Sequence, residues 1–179
     1  MHWGTSIDGY GDNIITWGGS GGILSFSHSG SSNVSITTYD VNGGYLDLLV
    51  NEIGNYSGNL LFGVFAGEGV EEFEINADGS WDFTLKSVSS GAKKISGTSV
   101  SGKGDEVINA TSVCEYNKIE VSHNGSSNFA VYAIAPKGIF SQDLLINEIG
   151  SYSGVVRLPE EFELLVINAD GNWQINFKK

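Results

Sequence analysis

The sequence predicts an all-β chain made of two tandem homologous β-sandwich domains, jelly-roll-like or immunoglobulin-like, with about seven strands each. Three observations lead to this prediction. Glycine is abundant at 25 residues while proline is rare at 2, which suits many tight turns between short strands. Short apolar stretches alternate with polar residues at the two-residue period of a strand. A set of motifs occurs twice, in the same order, about 90 residues apart.

The duplication is clearest in the phrase DLLVNEIGNYSG (residues 47–58), which returns as DLLINEIGSYSG (residues 143–154) with ten of twelve positions identical. Three more pairs keep the same order: GTSIDGYGD (4–12) and GTSVSGKGD (97–105), SHSGSSN (27–33) and SHNGSSN (122–128), INADGSW (75–81) and INADGNW (167–173). A long period with two copies indicates paired domains and not a solenoid. We expect one domain over residues 1–91 and a second over 92–179, packed on each other. A single merged sandwich is the alternative.

Strand patterns appear in each half. ILSFSH (23–28) and KIEVSH (118–123) alternate apolar and polar residues, as half-buried strands do. WDFTLK (81–86) and WQINFK (173–178) each follow an Asp-Gly pair, which tolerates the positive φ of a tight hairpin. Their alternation places both tryptophans in the core. FAVYAIA (129–135) is apolar almost throughout, as expected for a strand covered on both faces.

Bulk composition excludes several classes of function. The net charge is −12 and no cluster of Lys or Arg occurs, so nucleic acid and anionic membrane surfaces are poor partners. No apolar run approaches the length of a membrane span. The single cysteine, Cys114, can form no intrachain disulfide, and we expect it to be a small buried residue near a strand. The chain opens close to its first repeated motif, so we expect a signal or further domains before it in the parent protein.

The order of motifs resembles tandem repeat modules of secreted or surface-attached bacterial proteins, especially of actinobacterial type. The likeness rests on Gly-Asp, SH-x-GSSN, DLL-[VI]-NEIG-x-YSG and ADG-x-W, and covers nearly the whole chain. More loosely, the scheme is similar to pre-peptidase C-terminal-type sandwiches. The resemblance implies a non-catalytic module of an extracellular or cell-surface protein.

Polar residues kept in both copies are the candidate ligand-binding set. Within the repeated phrase, Leu48, Val50 and Ile53 are core candidates. The phrase also contains polar residues and a tyrosine that occur at the same positions in both copies. One reading is structural: these side chains tie down a loop, and the tyrosine packs as a corner residue. The other is a sugar subsite with an aromatic platform and a few polar groups. The candidates are Asn51, Glu52 and Tyr56, then Asn147, Glu148 and Tyr152, together with His28, Asn33, His123 and Asn128.

Aspartates near turns are the candidate metal ligands. Asp12 and Asp47, with their counterparts Asp105 and Asp143, could supply oxygen ligands to Ca²⁺, which binds 6–8 oxygens from loops. No Asp-x-Asp-x-Asp-Gly calcium loop is present, and the competing interpretation is that these aspartates cap turns.

No catalytic signature occurs in the sequence. It lacks a Gly-x-Ser-x-Gly elbow, a His-Glu-x-x-His motif, a phosphate loop and a Rossmann fingerprint. We therefore expect a non-enzymatic recognition or adhesion module without a cofactor other than Ca²⁺, binding carbohydrate or a cell-surface polymer. The alternative is a structural spacer without a ligand of its own.

Overall fold

The computed structural model describes residues 1–65, 69–135 and 141–179. Within these ranges the chain is all-β and its sheets are almost entirely antiparallel. The chain divides into two compact units, Met1–Gly91 (unit 1) and Ala92–Lys179 (unit 2). Over the described residues, no helix is both long and apolar enough to cross a membrane.

Unit 1 forms two four-stranded sheets, with strand orders β1-β8-β3-β6 and β2-β7-β4-β5. Its described strands are β1 (Ser6–Tyr10), β2 (Asn13–Gly19), β3 (Gly22–Ser29), β4 (Asn33–Tyr39), β5 (Tyr45–Ile53), β6 (Tyr56–Phe62), β7 (Val70–Asn76) and β8 (Ser80–Lys86). Almost every connection carries the chain from one sheet to the other, and only β4 and β5 are consecutive neighbours within a sheet. A four-residue helix, α1 (Val88–Gly91), follows β8 and packs against β3.

One hydrophobic core lies between the two sheets of unit 1. Phe26 and Phe83 reach it from the first sheet, and Ile36 and Phe73 reach it from the second. The rings of Phe73 and Phe83 meet edge to face, with centroids 5.2 Å apart. Such a pair adds about 0.5–1.5 kcal/mol beyond the burial of its area. The alternation in WDFTLK is confirmed, since Trp81, Phe83 and Leu85 are all buried.

Unit 2 repeats this arrangement, with strand orders β10-β17-β12-β15 and β14-β13-β16-β11-β9. Its described elements are β9 (Lys93–Lys94), β10 (Ser99–Lys103), β11 (Glu106–Asn109), a 3-10 turn (Thr111–Val113), β12 (Lys118–His123), β13 (Asn128–Ala135), β14 (Ser141–Ile149), β15 (Tyr152–Arg157), β16 (Leu164–Ala169) and β17 (Asn172–Lys178). The short β9 pairs in parallel with β11 and has no equivalent among the described strands of unit 1.

The core of unit 2 likewise takes side chains from both sheets. Trp173 and Ile175 of β17 meet Phe129 and Val131 of β13. Ala130, on the opposite face of β13, is also buried. The expectation that FAVYAIA is covered on both faces is therefore confirmed.

Two predicted core positions in the repeated phrase are wrong. Val50 is buried, but Leu48 is 44% exposed and Ile53 is 79% exposed. Ile53 lies three residues after Val50 in a regular stretch of β5, so ordinary alternation places it on the opposite face. Leu48 is displaced by a β-bulge: Ile36 pairs with Val50 and Thr37 pairs with Leu48, which leaves Leu49 as an extra residue. The extra residue reverses the alternation, so Leu49 packs against the core while Leu48 faces solvent.

Cys114 is exposed, which corrects the expectation of a buried thiol. It follows the 3-10 turn between β11 and β12 and lies outside both strands. Val113 takes the buried position in this segment instead.

Candidate functional site

The repeated motifs meet through hydrogen bonds between turns of each unit. We call this set the turn cluster; in unit 1 its members are Gly11, Asp12, His28, Ser31, Ser32, Gly54, Asp78 and Gly79. The N–H of Gly11 donates to the carbonyl of Gly79 at 3.0 Å, and the N–H of Gly54 donates to the carbonyl of Ser32 at 2.8 Å. Four turns that are distant in sequence are thereby joined in two pairs by main-chain bonds.

Unit 2 contains an equivalent turn cluster. The N–H of Gly104 donates to the carbonyl of Gly171 at 3.1 Å, and the N–H of Gly150 donates to the carbonyl of Ser127 at 2.7 Å. The matching geometry explains why the motifs are kept together in both halves of the chain. Each motif supplies one turn of the same network.

Asp78 holds the turn that precedes β4. Its Oδ2 accepts the backbone N–H groups of Ser31 at 2.9 Å and Ser32 at 2.8 Å. These bonds hold the pKa of the Asp78 carboxyl below its ordinary value, and the bond from Ser31 has the largest effect. In unit 2, burial raises the pKa of Asp170, but the N–H groups of Ser126 and Ser127 outweigh it and the pKa is lowered.

His28 and His123 lie inside the turn clusters, and neither imidazole has exposed side-chain area. Nδ1 of His28 is 2.7 Å from the carbonyl oxygen of Gly54, and Nε2 is 3.3 Å from Oδ1 of Asp78. The ring thus links the NEIG turn to the ADG turn. A ligand could reach it only if the ring left the interior of the unit.

The tryptophan of each ADG-x-W motif also belongs to the turn cluster. Trp81 is buried, and its Nε1 donates to the carbonyl of Gly11 at 2.8 Å. Trp173 is buried in the same way and donates to Gly104 at 2.9 Å. The prediction that both indoles are core residues is confirmed, and carbohydrate stacking on them is not available.

Tyr56 and Tyr152 are half-buried at the edge of the core. The Tyr56 ring lies 6.2 Å from that of Phe26, and the Tyr152 ring lies 5.9 Å from that of Phe129. Much of each ring is therefore occupied by intramolecular packing. The aromatic platform expected for a sugar subsite is only partly open.

The outward-facing residues of β5 are placed differently: Asn51 and Ile53 face solvent by ordinary alternation from the buried Val50, and the bulge adds Leu48 to the same face. Asn51 pairs with Ser35 and Ile53 pairs with Asn33, while Leu48 pairs with Thr37. Directly paired residues share a face of the sheet, so Leu48, Asn51 and Ile53 lie together on its outer face. All three are exposed.

Unit 2 carries the same surface. We call the set the outer strip: Leu48, Asn51 and Ile53 in β5, and Leu144, Asn147 and Ile149 in β14. Exposure of the two isoleucines is 79% and 83%. Asn33 and Asn128, both exposed, lie opposite these isoleucines, so they adjoin the strips. Glu52 and Glu148 are exposed too, but pair with Val34 and Phe129 and so lie on the other side of their strands.

The candidate calcium ligands are not brought together. Asp12 accepts the N–H of Ala77 at 2.9 Å, which is a turn-capping contact, and Asp105 accepts that of Ala169 at 2.9 Å. Asp47 lies opposite Thr38, which pairs with Phe73, four residues before Ala77. Four residues of extended strand span roughly 13 Å, so Asp47, level with Phe73, is separated by about that distance from Ala77, which Asp12 contacts.

Asp143 occupies the same place on β14, opposite Ala133. Across the described parts of the chain, no group of three or more His, Cys, Asp or Glu side chains could hold a metal ion.

Sequence reasoning missed two features of the site. The contact of His28 and His123 with a carboxylate was not foreseen, although each copy keeps both a His and an ADG turn. The bulge was also missed, since a leucine pair before the alternating segment is compatible with a regular strand.

Comparisons with known proteins identify no family. No protein-family model and no curated protein matches the chain. Solved structures with a distant likeness include cAMP-bound PfPKA-R (141–441), at 10% identity and a TM-score of 0.27, covering 98% of this chain and 70% of that one. Another is the stem and receptor-binding domain of spike protein P1 from bacteriophage PM2, at 13% identity and a TM-score of 0.17, covering 97% and 77%.

Proposed function

We propose that the chain is a non-catalytic extracellular recognition module that binds carbohydrate or another cell-surface polymer through its two outer strips. The observation that carries the proposal is that the same exposed side chains occur at equivalent positions in both units, although exposed positions contribute little to the hydrophobic core. Leu48, Asn51 and Ile53 recur as Leu144, Asn147 and Ile149, and every one of the six is exposed.

The chemistry of the strip fits a sugar polymer. An aliphatic side chain at each end can cover the C–H face of a sugar ring, and the amides of Asn51 and Asn33 offer both donors and acceptors for hydroxyl groups. An exposed aliphatic pair on an edge strand is otherwise an aggregation hazard, which favours a binding role. Tyr56 and Tyr152 have only a supporting role in this proposal, because their rings pack on Phe26 and Phe129 and are only partly open to a sugar.

We also propose that each unit is built on an eight-stranded jelly roll, to which unit 2 adds the short strand β9. The strand orders β1-β8-β3-β6 and β2-β7-β4-β5 support it, because eight strands in two sheets with crossovers at nearly every turn are typical of that fold. An immunoglobulin-like sandwich has seven strands in its constant type and is a poorer match. Kinship with secreted bacterial repeat modules, and packing of the two repeats on each other, stay predictions.

A binding screen of the intact chain against soluble and insoluble polysaccharides tests the function. We expect binding by the wild type and a loss of at least about tenfold in the variant Asn51→Ala, Ile53→Ser, Asn147→Ala, Ile149→Ser, since a few contacts of about 1 kcal/mol each are removed. The matched control is Val41→Ser, Val155→Ser, which removes one exposed aliphatic side chain per unit elsewhere. Equal binding by the strip variant would reject the surface.

The second candidate is a structural spacer without a ligand, and the turn cluster favours it. The repeated motifs are bonded to one another, so their recurrence can be explained by folding alone. Failure of the chain to bind any polysaccharide, with or without Ca²⁺, would establish this reading over the first. A melting temperature that falls on addition of a chelator would show that the spacer is stabilised by cation.

A further inference from the structure

Each unit buries one histidine that the proposed binding surface does not use. His28 and His123 both have fully buried imidazoles, and in each case the two ring nitrogens approach an oxygen atom. The contacts are the same in both units. Their hydrogen-bond chemistry determines where the protons lie.

Nδ1 must carry a hydrogen. It lies 2.7 Å from the carbonyl oxygen of Gly54 in unit 1 and 2.9 Å from that of Gly150 in unit 2. A backbone carbonyl can only accept, so the ring nitrogen donates. In a neutral ring, Nε2 would then be left with a lone pair and no hydrogen.

Nε2 faces a second acceptor. It lies 3.3 Å from Oδ1 of Asp78 in unit 1, and the equivalent atom of His123 lies 3.3 Å from Oδ1 of Asp170. A lone pair against an ionised carboxylate is repulsive, and both Nε2 atoms are buried without another hydrogen-bond partner. Leaving such an atom unsatisfied is unfavourable, because the hydrogen bond it made to water is lost and not replaced.

The aspartate is a poor place for the missing proton. The other oxygen of Asp78 accepts two backbone N–H groups, from Ser31 and Ser32. Those bonds favour the ionised carboxyl and lower its pKa. The imidazole nitrogen is the remaining site.

The surroundings of the rings accept a positive charge. The cross-strand neighbours of His28 are Tyr56 on β6 and Trp81 on β8, and Asp78 is the carboxylate that faces it. His123 has the matching neighbours Tyr152 and Trp173 and faces Asp170. It also stacks on the ring of Phe129, with centroids 4.2 Å apart and an interplanar angle of 7°. Stacking of a cation on an aromatic face is favourable.

We infer that each buried pair holds a proton on Nε2 of the histidine, so that a charged His–Asp clasp joins the NEIG turn to the ADG turn in both units. The clasp lies in the interior of each unit and does not depend on whether the outer strips bind a ligand.

Nitrogen-15 NMR of the imidazoles in the intact chain tests the inference directly. The third histidine, His2, is exposed, so His2→Gln removes its signals without touching either clasp. At pH 7.5 we expect both remaining rings to show hydrogens on Nδ1 and Nε2. Rings protonated on Nδ1 alone would overturn the inference.

Asp78→Asn together with Asp170→Asn provides a second test. The asparagine carbonyl can accept the N–H groups of Ser31 and Ser32, and its amide can donate to a neutral Nε2. In the nitrogen-15 spectra at pH 7.5 we expect the double variant to carry a hydrogen on Nδ1 alone in each buried ring, because the asparagine amide donates to Nε2. The control Asp8→Asn, an exposed carboxylate on β1, should keep the wild-type hydrogens. Identical imidazole spectra in all three proteins would reject the clasp.

Discussion

At the scale of single residues, one carboxylate organises several turns of each unit. Asp78 accepts two N–H groups from the turn before β4 through one oxygen and faces His28 through the other. Asp170 makes the equivalent contacts in unit 2: one oxygen accepts the N–H groups of Ser126 and Ser127, and the other faces His123. An aspartate that looks like an ordinary hairpin residue in sequence is therefore a junction between distant segments.

Acid should weaken the fold through these two carboxylates. The folded pKa of Asp78 and of Asp170 lies below the ordinary value of 3.8, so their contribution is present above that pH and is lost as the pH falls through the folded pKa. We expect the urea midpoint to fall between pH 4 and pH 2.5, and to fall less in Asp78→Asn, Asp170→Asn. An unchanged acid profile in the double variant would contradict this account.

Close packing at Gly9 gives a second prediction at this scale. Gly9 pairs with Trp81, and the indole lies where a Cβ on the glycine would stand. Gly9→Ala should therefore destabilise the chain by about 1–3 kcal/mol through overpacking. Gly69→Ala, where an added Cβ meets no atom of the described residues within 4 Å, is the matched control and should change stability by under about 0.5 kcal/mol. Denaturant titration of both variants measures the difference.

At the scale of elements, the bulge in β5 determines which leucine of an adjacent pair is structural. Leu49 packs against the core and Leu48 faces solvent. β14 repeats the arrangement, with Leu145 against the core and Leu144 exposed. An edge strand thereby buries its extra residue and still presents a row of outward side chains.

The two leucines should respond to the same substitution to different extents. Leu49→Ser removes a partly buried side chain and should cost on the order of 1–2 kcal/mol. Leu48→Ser alters an exposed position and should cost under about 0.5 kcal/mol. Urea titration of the two single variants decides between the bulged strand and a regular one, because a regular strand reverses the order.

Period-two patterns predicted the regular strands well and the irregular ones poorly. Trp81, Phe83 and Leu85 follow simple alternation, and their burial could be predicted from sequence. Leu48 could not be placed, since one unpaired residue changes the face of everything beyond it and leaves no mark in local composition. Ile53 could have been placed, because it is an odd number of residues from Val50 and simple alternation turns it outward. The contact of His28 with Asp78 spans fifty residues, a distance at which sequence pattern alone gives no pairing.

At the scale of the whole molecule, the chain carries the same surface twice on two compact units. Unit 1 bears the strip on β5 and unit 2 bears it on β14. Two weak sites on one chain bind a repetitive polymer far more tightly than either alone, if both can engage it. The duplication is therefore part of the proposed function.

Removing one strip should separate polymer binding from binding of a short oligomer. Asn51→Ala, Ile53→Ser leaves the unit 2 strip intact, so affinity for a long polysaccharide should fall by about 10²-fold or more. The number of sites for a short oligosaccharide should only halve, at unchanged affinity per site. Titration calorimetry with both ligands measures the two effects, and equal losses would argue against bivalency.

The separation between turn cluster and outer strip has an engineering consequence. His28 and Asp78 hold the frame from within, whereas Asn51 and Ile53 are solvent-facing positions whose replacement leaves that frame intact. Randomising the strip of one unit while keeping the other as a reference would turn the chain into a two-headed display scaffold. Each head could then be selected for a different target without redesign of the fold that carries it.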